Sequence, residues 1–293
     1  MMNPFTRIAR SLRSRAFYAY CDALRWLKRG RAKLEKWEPV DPSLPTLVAI
    51  VYDRDVPLLI ESLQSLARHH PVLPPLILIG DSDAAFALLK ERAPVKLAHV
   101  SLRHWEEDLA TLQPQEQRFV REWQNSGKFG GYAKKFAITL ANSRRGDIVL
   151  SDADIIWSGP LLVRPETRAA FNSHMVIAKD YVRCYDLELA ALLEEEKIMS
   201  EIPINCGFVY YPRGIFDRVL TPADYERLAK WSRRATCHFE QTLIAFVFWK
   251  TDGRFFAPDE VVTTISDDFC YREKIWGAVR HYAGCKHLFW RDI

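Results

Sequence analysis

Asp152-Ala153-Asp154 lies between two apolar runs, Ile148-Val149-Leu150 and Ile155-Ile156-Trp157. Alternate residues of extended chain point the same way, so the two carboxylates can converge on one point. Paired carboxylates repel unless a cation sits between them. A hard divalent ion such as Mg²⁺ or Mn²⁺, itself shared with a phosphate, suits that arrangement. Burying either acid without a partner would be costly. The same spacing recurs at Asp53-Arg54-Asp55 and Asp81-Ser82-Asp83, each directly ahead of a helical pattern. There the carboxylates are expected to cap helices.

Other residues could serve the same chemistry. Gly130-Gly131 opens a helical pattern, where free N–H groups could hold a phosphate or simply make a turn. Lys128, Lys134 and Lys135 could neutralise a diphosphate, with ordinary solvation as the alternative for any one of them. Gly207, inside the apolar stretch Asn205–Tyr211, suggests close approach of a ligand or of backbone.

The elements that must position these groups read as alternating strands and helices. Thr46–Tyr52 and Leu76–Ile79 are continuous apolar runs suited to buried parallel strands. A helix with Pro57 in its first turn follows the one, a helix over 84–92 follows the other, and residues 96–100 form a third candidate strand. Such alternation predicts a mostly parallel sheet flanked by helices, with ligands beyond the carboxyl ends of its strands. All three Asp-x-Asp pairs fall at strand ends. Residues 101–129 carry no clear pattern. Further strands are expected at 174–178, 205–211 and 261–264, and helices at 185–199, 222–232 and 239–249. The acidic end of the first of these, Glu194–Glu196, reads as a solvated face. The stretch 280–290 has neither periodicity.

The chain has 293 residues, 48% of them hydrophobic, enough for one large α/β domain or two small ones. Six cysteines without a Cys-x-x-Cys pair predict buried thiols, a reducing compartment and a cytoplasmic location. Residues 1–40 hold ten Lys or Arg against three Asp or Glu, whereas the rest holds 31 against 34. The mildly acidic body argues against nucleic-acid binding. No run of about 18 apolar residues exists to cross a membrane, and the scattered N-terminal arginines do not form a secretory signal. Residues 5–37 read as one or two basic helices with aromatics. Such an arm could lie on an anionic membrane surface, or pack on the body or a partner. Pro39, Pro42 and Pro45 place a boundary that separates an arm, 1–40, from a main domain, 41–293.

Four segments together resemble nucleotide-sugar-dependent glycosyltransferases of the GT-A fold. The likeness is to the retaining side that includes glycogenin and the bacterial lipopolysaccharide galactosyl- and glucosyltransferases. Ser151–Trp157 resembles the metal-binding Asp-x-Asp of that group, and Trp157 with Pro160 is closer to the related plant cell-wall enzymes. Ile204-Asn205-Cys206-Gly207-Phe208 is similar to its Asn-Ser/Ala-Gly strand, and Glu240-Gln241 stands where the family has Asp-Gln. His281-Tyr282-Ala283-Gly284-Cys285-Lys286 resembles its His-Phe-x-Gly-x-x-Lys-Pro-Trp segment. Here Lys286 arrives one residue early, His287 replaces the proline, and Trp290 is displaced.

The resemblance implies a single α/β catalytic domain with a helical N-terminal arm. It implies a Mn²⁺ or Mg²⁺ cofactor, a nucleotide-diphosphate sugar donor (a UDP-sugar foremost), and a glycan, lipid or protein acceptor. Asp152, Asp154 and His281 would hold the metal; Lys286 and Lys135 would meet the diphosphate. Tyr52 would stack on or bond to the base, Asp53 would bind base or ribose, and Asn205 and Gln241 would orient the sugar. Retention is implied; inversion would make Glu240 the candidate general base. A sugar-nucleotide nucleotidyltransferase is the alternative enzyme, although Val51–Pro57 lacks any glycine for a phosphate loop. A non-catalytic scaffold of the same fold is a third reading.

Overall fold

The apolar runs at Thr46–Val51 (β1), Leu76–Gly80 (β2) and Ile148–Ser151 (β4) become parallel neighbours at the centre of a seven-stranded sheet. This computed structural model describes residues 4–29, 33–34, 36–93, 99–127, 129–171, 174–264 and 277–293, with side chains from residue 15 onward. The other strands are β3 (Val100–His104), β5 (Ile155–Trp157), β6 (Val176–Lys179), β7 (Ile204–Tyr211), β8 (Arg254–Phe255), β9 (Val261–Thr263) and β10 (Val279–His281). The large sheet runs β3-β2-β1-β4-β7-β6-β8, with β7 antiparallel to both neighbours. A three-stranded sheet, β5-β10-β9, stands beside it.

Strand periodicity divides the core. Val48 of β1 and Val209 of β7 face one apolar layer, while Leu47, Ala49, Phe208 and Tyr210 face the other. The first layer is covered by α4 (Trp105–Leu109), α5 (Pro114–Gln124), α6 (Gly130–Arg145), α10 (Pro222–Ser232) and α11 (Phe239–Lys250). The second is covered by α2 (Val56–His69), α3 (Asp83–Arg92), α7 (Pro165–Phe171) and α12 (Lys286–Asp292). Two short helices, α8 (Leu187–Leu193) and α9 (Lys197–Ser200), occupy the span expected to be one helix. Glu194 adopts a left-handed backbone there and ends α8. Glu195 pairs with Lys250 at 3.0 Å, so that acidic end is not simply solvated.

The N-terminal segment is one long helix, α1 (Pro4–Arg29). Cys21 is buried, and Lys28 Nζ donates to Trp290 O of α12 at 3.2 Å. Leu34 and Trp37 are both buried within the second layer, and Trp37 Nε1 donates to Pro74 O at 2.8 Å.

Several expectations need correction. The third strand runs Val100–His104 with His99 in a turn before it; residues 96–98 lie outside the described residues, as does Lys128. The patternless stretch 101–129 contains β3, α4 and α5. Helix α2 has no side-chain cap, and α3 is capped by Ser82 Oγ, not by the flanking carboxylates. Cys21, Cys206 and Cys285 are buried, but Cys184 and Cys237 are only half-buried; Cys270 lies outside the described residues.

Candidate active site

Sheet geometry brings together carboxylates and an imidazole that lie far apart in sequence. At the end of β4, Asp152 N donates to Gly207 O of β7 at 2.7 Å, after which the chain turns into β5. Strand β10 pairs antiparallel with β5, with His281 opposite Ile155. The next residue, Tyr282, donates its N–H to Asp154 O at 2.9 Å. His281 Nε2 consequently lies 3.3 Å from Asp154 Oδ1 and 3.9 Å from Asp152 Oδ2. One ligand atom from each of the three falls within 4.8 Å of the others. The stretch without periodicity thus holds a three-residue strand that supplies the third polar group.

Two lysines flank this cluster. Lys135, on α6, reaches Asp152 Oδ1 at 2.9 Å, Cys206 O at 3.0 Å and Glu240 Oε1 at 3.6 Å. Lys286, the first residue of α12, reaches Asp55 Oδ2 at 2.9 Å and lies 3.9 Å from Asp154 Oδ2. Charge then orders the titrations. Burial alone would raise the Asp154 pKa, but His281 and Lys286 facing it hold it below the usual carboxylate range. Burial would lower His281, yet Asp154 and then Asp152 carry it above the ordinary imidazole value. Burial likewise disfavours the Lys135 ammonium, but Asp152 and Glu240 beside it raise its pKa well above that of a free lysine. Burial pushes Glu240 up to about 7 in spite of Lys135.

These groups open onto a cleft of about 520 Å³ at the carboxyl ends of β1 and β4. Its lining includes Tyr52, Phe129, Gly131, Tyr132, Asp152–Asp154, His281, Ala283, Gly284 and Lys286. A Cβ on Gly131 would overlap the Tyr52 hydroxyl, so the glycine makes room for the tyrosine. Gly207 makes room too, for the His281 ring, not for a ligand or backbone.

Of the sequence candidates, Tyr52, Lys135, Asp152, Asp154, His281 and Lys286 line this cleft together. The others stand apart from its lining. Asp53 is exposed, and its Oδ1 accepts from Arg54 N at 2.7 Å. Asn205 is buried, donating to Asp180 Oδ2 at 3.0 Å and accepting from Gly207 N at 2.9 Å. Gln241 donates to Ile204 O. Glu240 is enclosed behind Lys135. Lys134 is drawn to Asp81, donating to its backbone O at 2.6 Å.

Sequence reading missed Asp55, which it treated as a helix cap. The available signal was its place at the end of β1 within an Asp-x-Asp pair. Its partner Lys286 lies 231 positions away, beyond the reach of any local pattern.

Two carboxylates and an imidazole make a reasonable donor set for a divalent ion. Ligand bonds of about 2.1–2.2 Å need donor atoms roughly 3–4.5 Å apart, close to the spread found here. His281 already turns Nε2 toward both acids.

The architecture is the GT-A fold of glycosyltransferases. Mouse xyloside xylosyltransferase 1, in its apo form, superposes with a TM-score of 0.57 at 14% identity, covering 81% of this chain and 97% of the other. WbbM, described as a bifunctional glycosyltransferase, superposes with a TM-score of 0.50 at 15% identity over 84% of this chain and 47% of its own. No protein-family model and no curated protein sequence matches the chain.

Proposed function

We propose that this protein is a metal-dependent glycosyltransferase that moves a sugar from a nucleotide-diphosphate sugar to an acceptor. The observation that carries the reading is the convergence of Asp152, Asp154 and His281 beside Lys286, in a cleft at the strand ends of a GT-A fold. A Mn²⁺ or Mg²⁺ ion held by these three would stabilise the negative charge that gathers on the diphosphate as the sugar–phosphate bond breaks.

The remaining roles follow from placement. Lys286, steadied by Asp55, offers a positive charge at the cleft wall where the leaving diphosphate would lie. Lys135 anchors Asp152 and fixes the direction of its carboxylate. Tyr52, 43% exposed at the end of β1, presents a face on which a nucleotide base can stack, a UDP-sugar being the first donor to try. Asn205 and Gln241 are held in one orientation by their own partners and brace the strand behind the donor sugar. Glu240, off the cleft and tied to Lys135, is poorly placed to take a proton from an acceptor. That favours retention, which needs no strong external base.

The test is a panel of nucleotide sugars incubated with the protein and Mn²⁺, without acceptor. Slow release of free nucleoside diphosphate, abolished by EDTA, is expected. Release of pyrophosphate would indicate nucleotidyl transfer instead, and no metal-dependent binding of any nucleotide would overturn the reading.

A further inference from the structure

Helix α1 carries one broad apolar sector, and only one flank of it meets the protein. At 100° per residue, Phe17, Cys21 and Leu24 share the inward face. Cys21 is buried there, and the Phe17 and Tyr18 rings lie 6.3 and 4.7 Å from that of His287 on α12. The adjoining, exposed flank carries Ala16, Tyr20, Ala23 and Leu27, at spacings that align them along the helix, with Ala19 and Trp26 beside them. Tyr20 is 54%, Leu27 55% and Trp26 79% exposed. A helix that merely packs on a body shows water a polar outer face; this one shows an aromatic and aliphatic stripe.

The charge of the helix selects what covers that stripe. Its sequence holds seven arginines and lysines (Arg7, Arg10, Arg13, Arg15, Arg25, Lys28 and Arg29) against one acid, Asp22. Two copies packed face to face would bring these like charges together. Phosphates of a nucleic acid would meet the charges but leave Trp26 and Leu27 without apolar cover. An anionic lipid surface satisfies both, with aromatic and aliphatic groups in the interface and arginines at the headgroups. No helix among the described residues is long and apolar enough to cross a membrane. We propose that α1 lies along an anionic membrane surface through its Tyr20–Trp26–Leu27 face.

The experiment is vesicle flotation of the full chain with phosphatidylcholine alone and with phosphatidylcholine containing 30–40% phosphatidylserine, both figures chosen on the order of a strongly anionic leaflet. Binding to the mixed vesicles, loss of it at high salt, and little binding to phosphatidylcholine are expected. The double variant Trp26→Ala/Leu27→Ala should bind about tenfold or more weakly while keeping the wild-type melting temperature, since neither side chain is buried in the body. Equal binding by this variant, or no preference for phosphatidylserine, overturns the proposal. So does a concentration-dependent dimer that the double variant abolishes, which assigns the face to a second copy. Binding to duplex DNA that outcompetes the vesicles at equal salt assigns it to nucleic acid and equally overturns it.

Discussion

The His281 ring rests directly on the backbone of Gly207, so closely that a Cβ there would lie 2.5 Å from Nε2 and 2.7 Å from Nδ1. Gly207→Ala should therefore push the ring away from Asp154. Overpacking of this kind costs about 1–3 kcal/mol. The expected result is a stable but less metal-avid protein, read as a lowered melting temperature together with weaker Mn²⁺ binding in the presence of nucleoside diphosphate. Unchanged metal affinity would mean that His281 is not a ligand.

Asp154→Asn and His281→Ala remove the two most buried members of the cluster. Each should abolish Mn²⁺-dependent nucleotide binding or weaken it by at least tenfold, as loss of an inner ligand does. Isothermal titration of the folded variants is the check. A merely packed histidine would lower the melting temperature and leave metal affinity intact.

Glu240 gives a pH dependence of stability. Its folded pKa of about 7 lies above the ordinary carboxylate value, so the folded state holds a proton that the unfolded chain releases. That contribution is complete below about pH 4.5 and is lost as pH rises through 7, on the order of 1–3 kcal/mol in all. Glu240→Gln should flatten the decline in melting temperature between about pH 5 and 8. An identical profile in the variant would place the titrating group elsewhere.

Lys135 ties Asp152, Glu240 and a backbone carbonyl to one buried ammonium. Lys135→Met leaves those acids without compensation and should cost on the order of 3 kcal/mol. In a double-mutant cycle with Glu240→Gln, the second change should restore part of that loss. Strict additivity in urea titrations would show that the two do not interact.

The boundary after residue 40 can be tested by truncation. Leu34 and Trp37 are buried against the body, so a chain starting at Asp41 should be destabilised by several kcal/mol, in the range of about 3–5 for a lost tryptophan alone. A chain starting near residue 33 keeps both side chains and loses the contacts of α1 with α12, so it should be destabilised, but less than the chain starting at Asp41. Equal melting temperatures for the two truncations would mark residues 33–40 as dispensable.

The parts of this architecture that were legible in sequence are those with a continuous apolar run or a sustained helical period. Strands β1, β2 and β7 and helices α2, α6, α10 and α11 each carry enough apolar residues to show it. Asp152 and Asp154 were legible because apolar chain brackets them. Strands β5 and β10 have three residues each, too few for a period, so His281 was legible only through the resemblance of its segment and not through the pairing that delivers it. Asp55 was misread because an acid before a helix ordinarily caps it, whereas here a lysine from the far end of the chain claims its carboxylate. Asn205, Glu240 and Gln241 were found as residue types, but Asp180, Lys135 and the Ile204 carbonyl are their partners, and only tertiary packing decides that.

The order in which the cluster is synthesised has its own consequence. Asp152 and Asp154 leave the ribosome about 130 residues ahead of His281 and Lys286. At typical elongation rates that is an interval on the order of ten seconds. During it, Asp154 has neither of the cations that hold it ionised in the finished protein. The nascent chain can build β1, β2 and β4, but the acid at their edge must stay hydrated until β10 arrives to cover it. Closure of this corner is thus a late event in the birth of the molecule, and until then the two acids face water.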